Sequence, residues 1–209
     1  MNEGLTPPGI THLLYLHGFR SSPRSVKARL VAERVARDHP GVLWWCPQLP
    51  PSPAEAMSLV REGTAGWPQE RSAVIGSSLG GFYARHLGLS RGWKRALLNP
   101  AVHPARDLAR HIGEQTAWHD PQERFFFEPR FVAQLQQMED EIAGMARRGP
   151  VGPQLQFALI AQGDEVLDWR EMQDFCQGGE LHVLPGSDHA ISDFPQHLGR
   201  LLDFLRLQG

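Results

Sequence analysis

Short runs of apolar residues bounded by turn residues recur along the chain, and between them apolar positions fall at helical spacing. Leu13–His17, Val42–Cys46, Ala73–Gly76, Ala96–Asn99, Phe157–Ala161 and Leu181–Leu184 read as strands. Their nearly continuous apolar character belongs to strands covered on both faces. Val26, Leu30, Val31 and Val35 share one helical stripe, as do Phe82, Tyr83 and Leu87, and again Leu198, Leu201, Leu202 and Leu205. Strand alternating with helix predicts a parallel sheet built from right-handed crossovers. Pro47, Pro50, Pro51 and Pro53 predict a short rigid loop after the second strand. No internal repeat or low-complexity linker interrupts the pattern, and 209 residues fit one domain.

The rhythm breaks between Asn99 and Phe157, where no strand is evident. Helical pieces, Ala105–Ile112 and Arg130–Arg148, flank an aromatic cluster of Trp118, Phe125, Phe126 and Phe127. A connection this long is usually functional. Residues 103–150 are therefore expected to form a small helical cap over one edge of the sheet. Its aromatics either pack the cap onto the domain or line an acyl-binding site.

Composition narrows the class. The chain is 41% apolar and 21% charged, as globular proteins are. With 21 basic against 23 acidic side chains, the net charge of -2 offers no footprint for nucleic acid or an anionic membrane. Cys46 and Cys176 are too few and too far apart for a disulfide framework or a CxxC site, and read as free thiols. The start, MNEGLTPPGITH, lacks the basic and apolar regions of a secretory leader. No stretch reaches the ~18 apolar residues of a membrane span. A soluble, cytoplasmic protein is expected.

The chemistry begins at Gly76-Ser77-Ser78-Leu79-Gly80, where an apolar strand runs through Gly-x-Ser-x-Gly into a helix. A serine at such a turn projects clear of the sheet above a helix N-terminus, and its crowded neighbours must be glycines. Ser78 is therefore the candidate nucleophile. Ser77 would place Ile75 and Leu79 at the glycine positions. A serine nucleophile needs a base, and the base an orienting carboxylate. His189 follows the last strand, and Asp164, Asp168 and Asp188 all fall past strand C-termini, at the edge where open α/β sheets bind ligands. Asp188 is the chain neighbour of His189, and adjacent side chains in a turn diverge. Asp168 stands three residues before Glu171, at the start of Trp169–Phe175, where it reads as the N-cap of a capping box. Asp164 lies closer to the strand end and has no cap to explain it. The order serine, acid, histidine is that of nucleophile-elbow hydrolases. The loop after the first strand, His17-Gly18-Phe19, nominates the backbone amides of Phe19 and Leu79 for an oxyanion hole, with His17 shaping the loop.

The segments LLYLHGFRSSPRSVKA, GSSLGGFYA, LLNPAV, GDEVLD and GSDHAISDF together resemble the YqiA-type esterases of the α/β-hydrolase superfamily, from about Thr11 to the C-terminus. The resemblance implies an α/β-hydrolase fold without the usual first hairpin, acting on small or acyl esters and thioesters. By motif match the family's serine falls on Ser78, its acid on Asp164 and its histidine on His189. The expected fold is thus a six-stranded, mainly parallel α/β-hydrolase sheet, and the expected partner is a small-molecule ester or thioester.

Other chemistries lack their signatures. There is no HExxH and no His or Cys pair at ligand spacing, and GSSLGG is neither a dinucleotide nor a P-loop fingerprint, so no cofactor is implied. Arg20, Arg24 and Lys27, with Arg29 beyond, either hold a phosphate-bearing leaving group such as coenzyme A or form a solvated helix face. The alternative to an enzyme is a non-catalytic binding or scaffolding module that keeps the hydrolase shape.

Overall fold

All six apolar runs form strands of one sheet in the computed structural model, which describes residues 9–118, 120, 122–147 and 152–208. They are β1 (His12–Leu16), β2 (Leu43–Trp45), β3 (Ser72–Ser77), β4 (Lys94–Leu98), and, beyond a hairpin of β5 (Gly113–Thr116) and β6 (Arg124–Phe127), β7 (Gln156–Ala161) and β8 (Glu180–Leu184). The order across the sheet is β2-β1-β3-β4-β7-β8, and every neighbouring pair is parallel. Seven α-helices, α1 (Val26–Asp38), α2 (Pro53–Gly63), α3 (Leu79–Arg91), α4 (Pro104–Leu108), α5 (Pro129–Ala146), α6 (Trp169–Phe175) and α7 (Phe194–Leu205), and two 3-10 turns, Gln69–Arg71 and Ala109–His111, complete the elements of the described residues.

Two-residue alternation divides the strands' side chains between two cores. Leu14, Leu16, Val74, Leu97, Ala158 and Ile160 meet α2, α3 and α5 on one face. Leu13, Tyr15, Ala73, Ile75, Leu98 and Leu159 meet α1 and α7 on the other. The register aligns Leu16 with Gly76 and Ser77 with Leu98, which brings the C-terminal ends of the central strands to one edge. No helix among the described residues is long and apolar enough to cross a membrane.

Three features differ from the sequence reading. Pro53 does not extend the rigid loop but opens α2, with the Ser52 hydroxyl accepting from the Glu55 amide. A proline fits there because the amide it lacks is one that the first helical turn leaves unpaired. The segment after Asn99 does contain strands. β5 and β6 form an antiparallel pair, with Gly113 opposite Phe127. α5 lies in the core rather than over an edge of the sheet: Phe131, Leu135, Met138 and Ile142 are buried beside α3. A right-handed crossover from β4 to its neighbour β7 needs a helix on the sheet face, and α5 supplies it. The expected helix end at Arg148 and the insertion's end at 150 lie outside the described residues, as do residues 1–8 of the N-terminal stretch.

The aromatic cluster divides accordingly. Phe127 is buried against Phe19 and Phe131, whereas Trp118 and Phe126 are exposed. Phe125 meets the edge of Phe19 at 5.9 Å between ring centroids. The aromatics thus both pack the hairpin down and face the chambers described below.

Candidate active site

Ser78 stands between the last residue of β3 and the first of α3, with φ 56° and ψ -123°. A serine reaches such a backbone only under constraint from its surroundings. The constraint is visible: the Ser78 amide donates to the Leu98 carbonyl at 3.0 Å, and its own carbonyl accepts from Gly81 and Ala101 at 2.9 and 3.0 Å. The glycines are demanded by proximity. A Cβ on Gly76 would lie 2.0 Å from the Gly80 carbonyl oxygen, and one on Gly80 would lie 2.0 Å from that of Leu16.

Three residues widely separated in sequence meet at this turn. His189 Nε2 lies 3.1 Å from Ser78 Oγ, and His189 Nδ1 lies 2.7 Å from Asp164 Oδ2. The Asp164 side chain is fully buried, and its other oxygen accepts from the amides of Val166 and Leu167, both at 2.8 Å. A carboxylate locked in this way accepts the Nδ1 proton, which leaves the Nε2 lone pair facing the serine hydroxyl.

The rival carboxylates are engaged elsewhere. Asp168 caps α6 by accepting from the Arg170 amide at 2.9 Å. The second half of the expected capping box is not formed, because Glu171 pairs in bidentate fashion with Arg106. Asp188 accepts from the amide and hydroxyl of Ser192, and these bonds hold its carboxyl below the ordinary range.

Gly18 brings the loop after β1 against Ser78: a Cβ there would sit 3.2 Å from Ser78 Cβ. The nominated amides, of Phe19 on this loop and Leu79 on α3, therefore flank Ser78. His17 is buried, and its Nε2 accepts from the Leu49 amide at 3.1 Å, so Nδ1 carries the proton that it donates to the Gly18 carbonyl at 3.0 Å. This is the loop-shaping part that the sequence suggested.

Several residues around the histidine carried no local signal in the sequence. Asn99, fully buried with φ 41°, donates to the carbonyls of Asp188 and His189 at 3.0 and 3.1 Å and accepts from the Ala161 amide. Glu165 accepts from the His189 amide at 3.1 Å. Lys27 Nζ donates to the Ala190 carbonyl. Burial lowers the Lys27 ammonium to about 8, against the opposing pull of Asp188 and Asp164. Side chains from three separate segments thus hold the histidine loop.

The basic residues do not form one cluster of free cations. Arg20, at φ 60°, donates from Nε to the Thr116 carbonyl at 2.6 Å and stacks its guanidinium 4.1 Å from the Trp118 ring centroid. It ties the loop after β1 to the hairpin. Arg24 is exposed, and Lys27 is turned to the histidine loop.

Ser78 and His189 lie between two chambers. One, of about 410 Å³, is walled by Leu79, Ala101, Pro104, Leu108, Val166 and Leu167. The other, of about 330 Å³, is walled by Tyr15, Ser25, Lys27 and Ser77. A third cavity of about 520 Å³ lies between Leu49, Leu59 and Phe125 and shares Phe19, Arg20 and Leu79 with the first chamber and His17, Gly18, Phe19 and Ser21 with the second. Among the described residues no group of His, Cys, Asp and Glu could hold a metal ion.

Comparison with solved structures places the fold. One of the metagenome-derived lipolytic enzymes LipS and LipT aligns with TM-score 0.69 and 19% identity, covering 95% of this chain and 94% of that one. Est1E from Butyrivibrio proteoclasticus with bound ferulic acid aligns at 0.67 and 14%, covering 99% and 90%. Mouse alpha/beta hydrolase domain-containing protein 10 aligns at 0.64 and 15%, covering 95% and 92%. At such identities the likeness speaks to architecture, and the architecture is the α/β-hydrolase fold. The model of the uncharacterised protein family UPF0227 matches residues 12–206, nearly the whole sequence. The chain therefore belongs to UPF0227, the family of the YqiA-type esterases.

Proposed function

We propose that the protein is a serine hydrolase that cleaves carboxylic esters through an acyl-enzyme. The observation that carries this reading is the hydrogen-bonded relay Asp164–His189–Ser78, 2.7 and 3.1 Å long, lying between two chambers. Ser78 Oγ attacks the carbonyl carbon as His189 Nε2 takes its proton. Asp164 holds the Nδ1 proton and stabilises the imidazolium that forms. The tetrahedral oxyanion rests on the amides of Phe19 and Leu79, where preorganised donors act at low reorganisation cost. Collapse expels the alcohol, protonated by His189, and leaves the acyl group on Ser78. Water, deprotonated by the same histidine, then releases the acid and restores the serine. No step calls for a cofactor.

Fluorophosphonate labelling separates this reading from a non-catalytic scaffold. The native protein is expected to gain one phosphonyl adduct on the peptide carrying Ser78, and the His189→Ala variant to react far more slowly. A serine that stays unlabelled in the folded native protein would leave the scaffold as the better account.

The same chemistry accommodates thioesters, and Arg20, Arg24 and Lys27 bear on whether coenzyme A is the leaving group. Arg20 and Lys27 already donate to backbone carbonyls, so simple esters are the better fit. Exposed charge contacts weaken as the Debye length shrinks below about 10 Å at 0.1 M salt. KM for an acyl-coenzyme A and for a neutral nitrophenyl ester should therefore respond equally to added salt. A selective rise for the coenzyme A substrate would assign these three residues to its phosphates.

A further inference from the structure

Five non-glycine residues among those described stand at positive φ, and three of them shape the candidate site. Ser78 is one, Asn99 at φ 41° bonds the histidine loop, and Ile191 at φ 50° ends the turn that starts at Asp188 and carries His189. Side chains adopt this backbone only where their surroundings impose it, and such places cluster at functional sites. Arg20, at φ 60°, stands next to Phe19 and has no such account yet.

The Gly18 carbonyl accepts from the Ser21 amide at 3.2 Å, which closes a four-residue turn with Phe19 and Arg20 at its centre. Positive φ at the third residue alone belongs to a type II turn, and that position ordinarily takes glycine. Glycine would relax the backbone and arginine does not, so the arginine side chain has to offset the strain. Three contacts do so, all with the strand β5 and the residue that opens the hairpin's far end. Arg20 Nε donates to the Thr116 carbonyl at 2.6 Å, the Arg20 carbonyl accepts from the Trp118 amide at 2.7 Å, and the guanidinium lies 4.1 Å from the Trp118 ring centroid. A charged donor and a cation over an indole are among the stronger contacts a side chain can make.

The loop is fastened on the other side of Phe19 too, where His17 bonds the Gly18 carbonyl and the Leu49 amide. The proposed oxyanion donor is thus held between two anchors, His17 before it and Arg20 after it. The second anchor reaches the reacting atoms' surroundings, since Trp118 borders both chambers together with Phe19, Ser78 and His189.

We infer that Arg20 is a positioning residue for transition-state stabilisation: by fastening the loop after β1 to the hairpin, it aims the Phe19 amide at the oxyanion that forms on the substrate. It acts through the backbone of Phe19 and not on the reacting atoms. The hairpin, which gives no residue to the Asp164–His189–Ser78 relay, then contributes to rate through this anchor. The inference rests on the hydrolase reading above and deepens it.

Two variants test it. Arg20→Gly relaxes the backbone while deleting the anchor, and Arg20→Lys keeps the charge but lacks the planar group and its Nε donor. Each is compared with native protein for melting, for kcat and KM on nitrophenyl butyrate, and for inhibition by an aryl trifluoromethyl ketone. Fluorophosphonate titration counts the active serines. The ketone carbon bonds to Ser78 Oγ as His189 takes the hydroxyl proton, and the ketone oxygen becomes an oxyanion that needs the same donors. Losing an oxyanion donor costs about 10²–10³ in kcat, and a donor that is present but misaimed costs less, so both variants should lose about 10- to 100-fold in kcat with KM nearly unchanged. The Ki of the ketone should rise by the factor by which kcat/KM falls.

If both variants keep native kcat and Ki, whatever their melting points, Arg20 only fastens the hairpin, and the inference falls while the hydrolase reading stands. A rise in KM alone overturns it as well, since Arg20 would then bind substrate. So does a loss of kcat with Ki unchanged, because oxyanion stabilisation would be intact. Should Arg20→Gly fail to fold, Arg20→Lys, which leaves the native backbone in place, decides by the same comparison. Native protein that neither cleaves esters nor reacts with the fluorophosphonate would end the hydrolase reading and this inference with it.

Discussion

Replacing Ser78 with alanine should lower kcat for ester hydrolysis by up to about 10⁶-fold, the scale on which serine hydrolases lose rate without their nucleophile. The residual rate would come from the oxyanion donors and from binding, which need no Oγ. Folding should survive the change. The Ser78 hydroxyl contacts His189 alone among the hydrogen bonds described, and the strained φ of 56° is fixed by backbone bonds that alanine keeps. Thermal melting should therefore be nearly unchanged while turnover falls to that residual rate and no acyl-enzyme forms. A Ser78→Ala protein with kcat within tenfold of native would remove Ser78 as the nucleophile.

The second large effect concerns the carboxylate. Asn in place of Asp164 keeps an oxygen for the Val166 and Leu167 amides, so the loop should hold its shape. The group turned to His189 Nδ1 would then be an amide NH₂, a donor rather than an acceptor. Nδ1 must accept, the proton moves to Nε2, and Nε2–H points at Ser78 where a lone pair is required. By the precedent of trypsin's triad aspartate, this wrong tautomer reduces kcat by about 10⁴. Asp168→Asn is the matched control. Asn caps helices about as well as Asp, so α6 and the activity should both be preserved. Measuring kcat and melting for both variants decides the matter: an inactive Asp168→Asn beside a near-normal Asp164→Asn would reverse the assignment.

How far these residues could be read from the chain follows from the range of the interactions involved. The sheet was legible because strands buried on both faces must be apolar almost continuously, as Ala73–Gly76 and Phe157–Ala161 are. The elbow was legible because the glycines around Ser78 are imposed by local contact distances. The hairpin was not. Gly113–Thr116 has no apolar alternation, and Arg124–Phe127 has three aromatics in succession, only the last of them buried. α5 announced its helical spacing but not its destination, since periodicity identifies an apolar face and not the surface that covers it. Asn99, Glu165 and Lys27 were silent in this role for a further reason: each holds the histidine loop by only one or two bonds across a long stretch of chain. No pattern in a linear sequence marks such a contact.

The division of labour between α5 and the hairpin bears on how this architecture can be diversified. Because α5 completes the core, it tolerates little change in length or face. The hairpin is different: it leaves and rejoins the body at Gly113 and Phe127, which are paired neighbours. A segment whose two ends meet can be exchanged for one of another length without moving the sheet or the elbow. Its contacts with Arg20 and Phe19 nevertheless put it beside both chambers. Grafting between those two positions is thus the route by which the lining of both chambers could be re-engineered, or drift among relatives, while Ser78, His189 and Asp164 stay fixed.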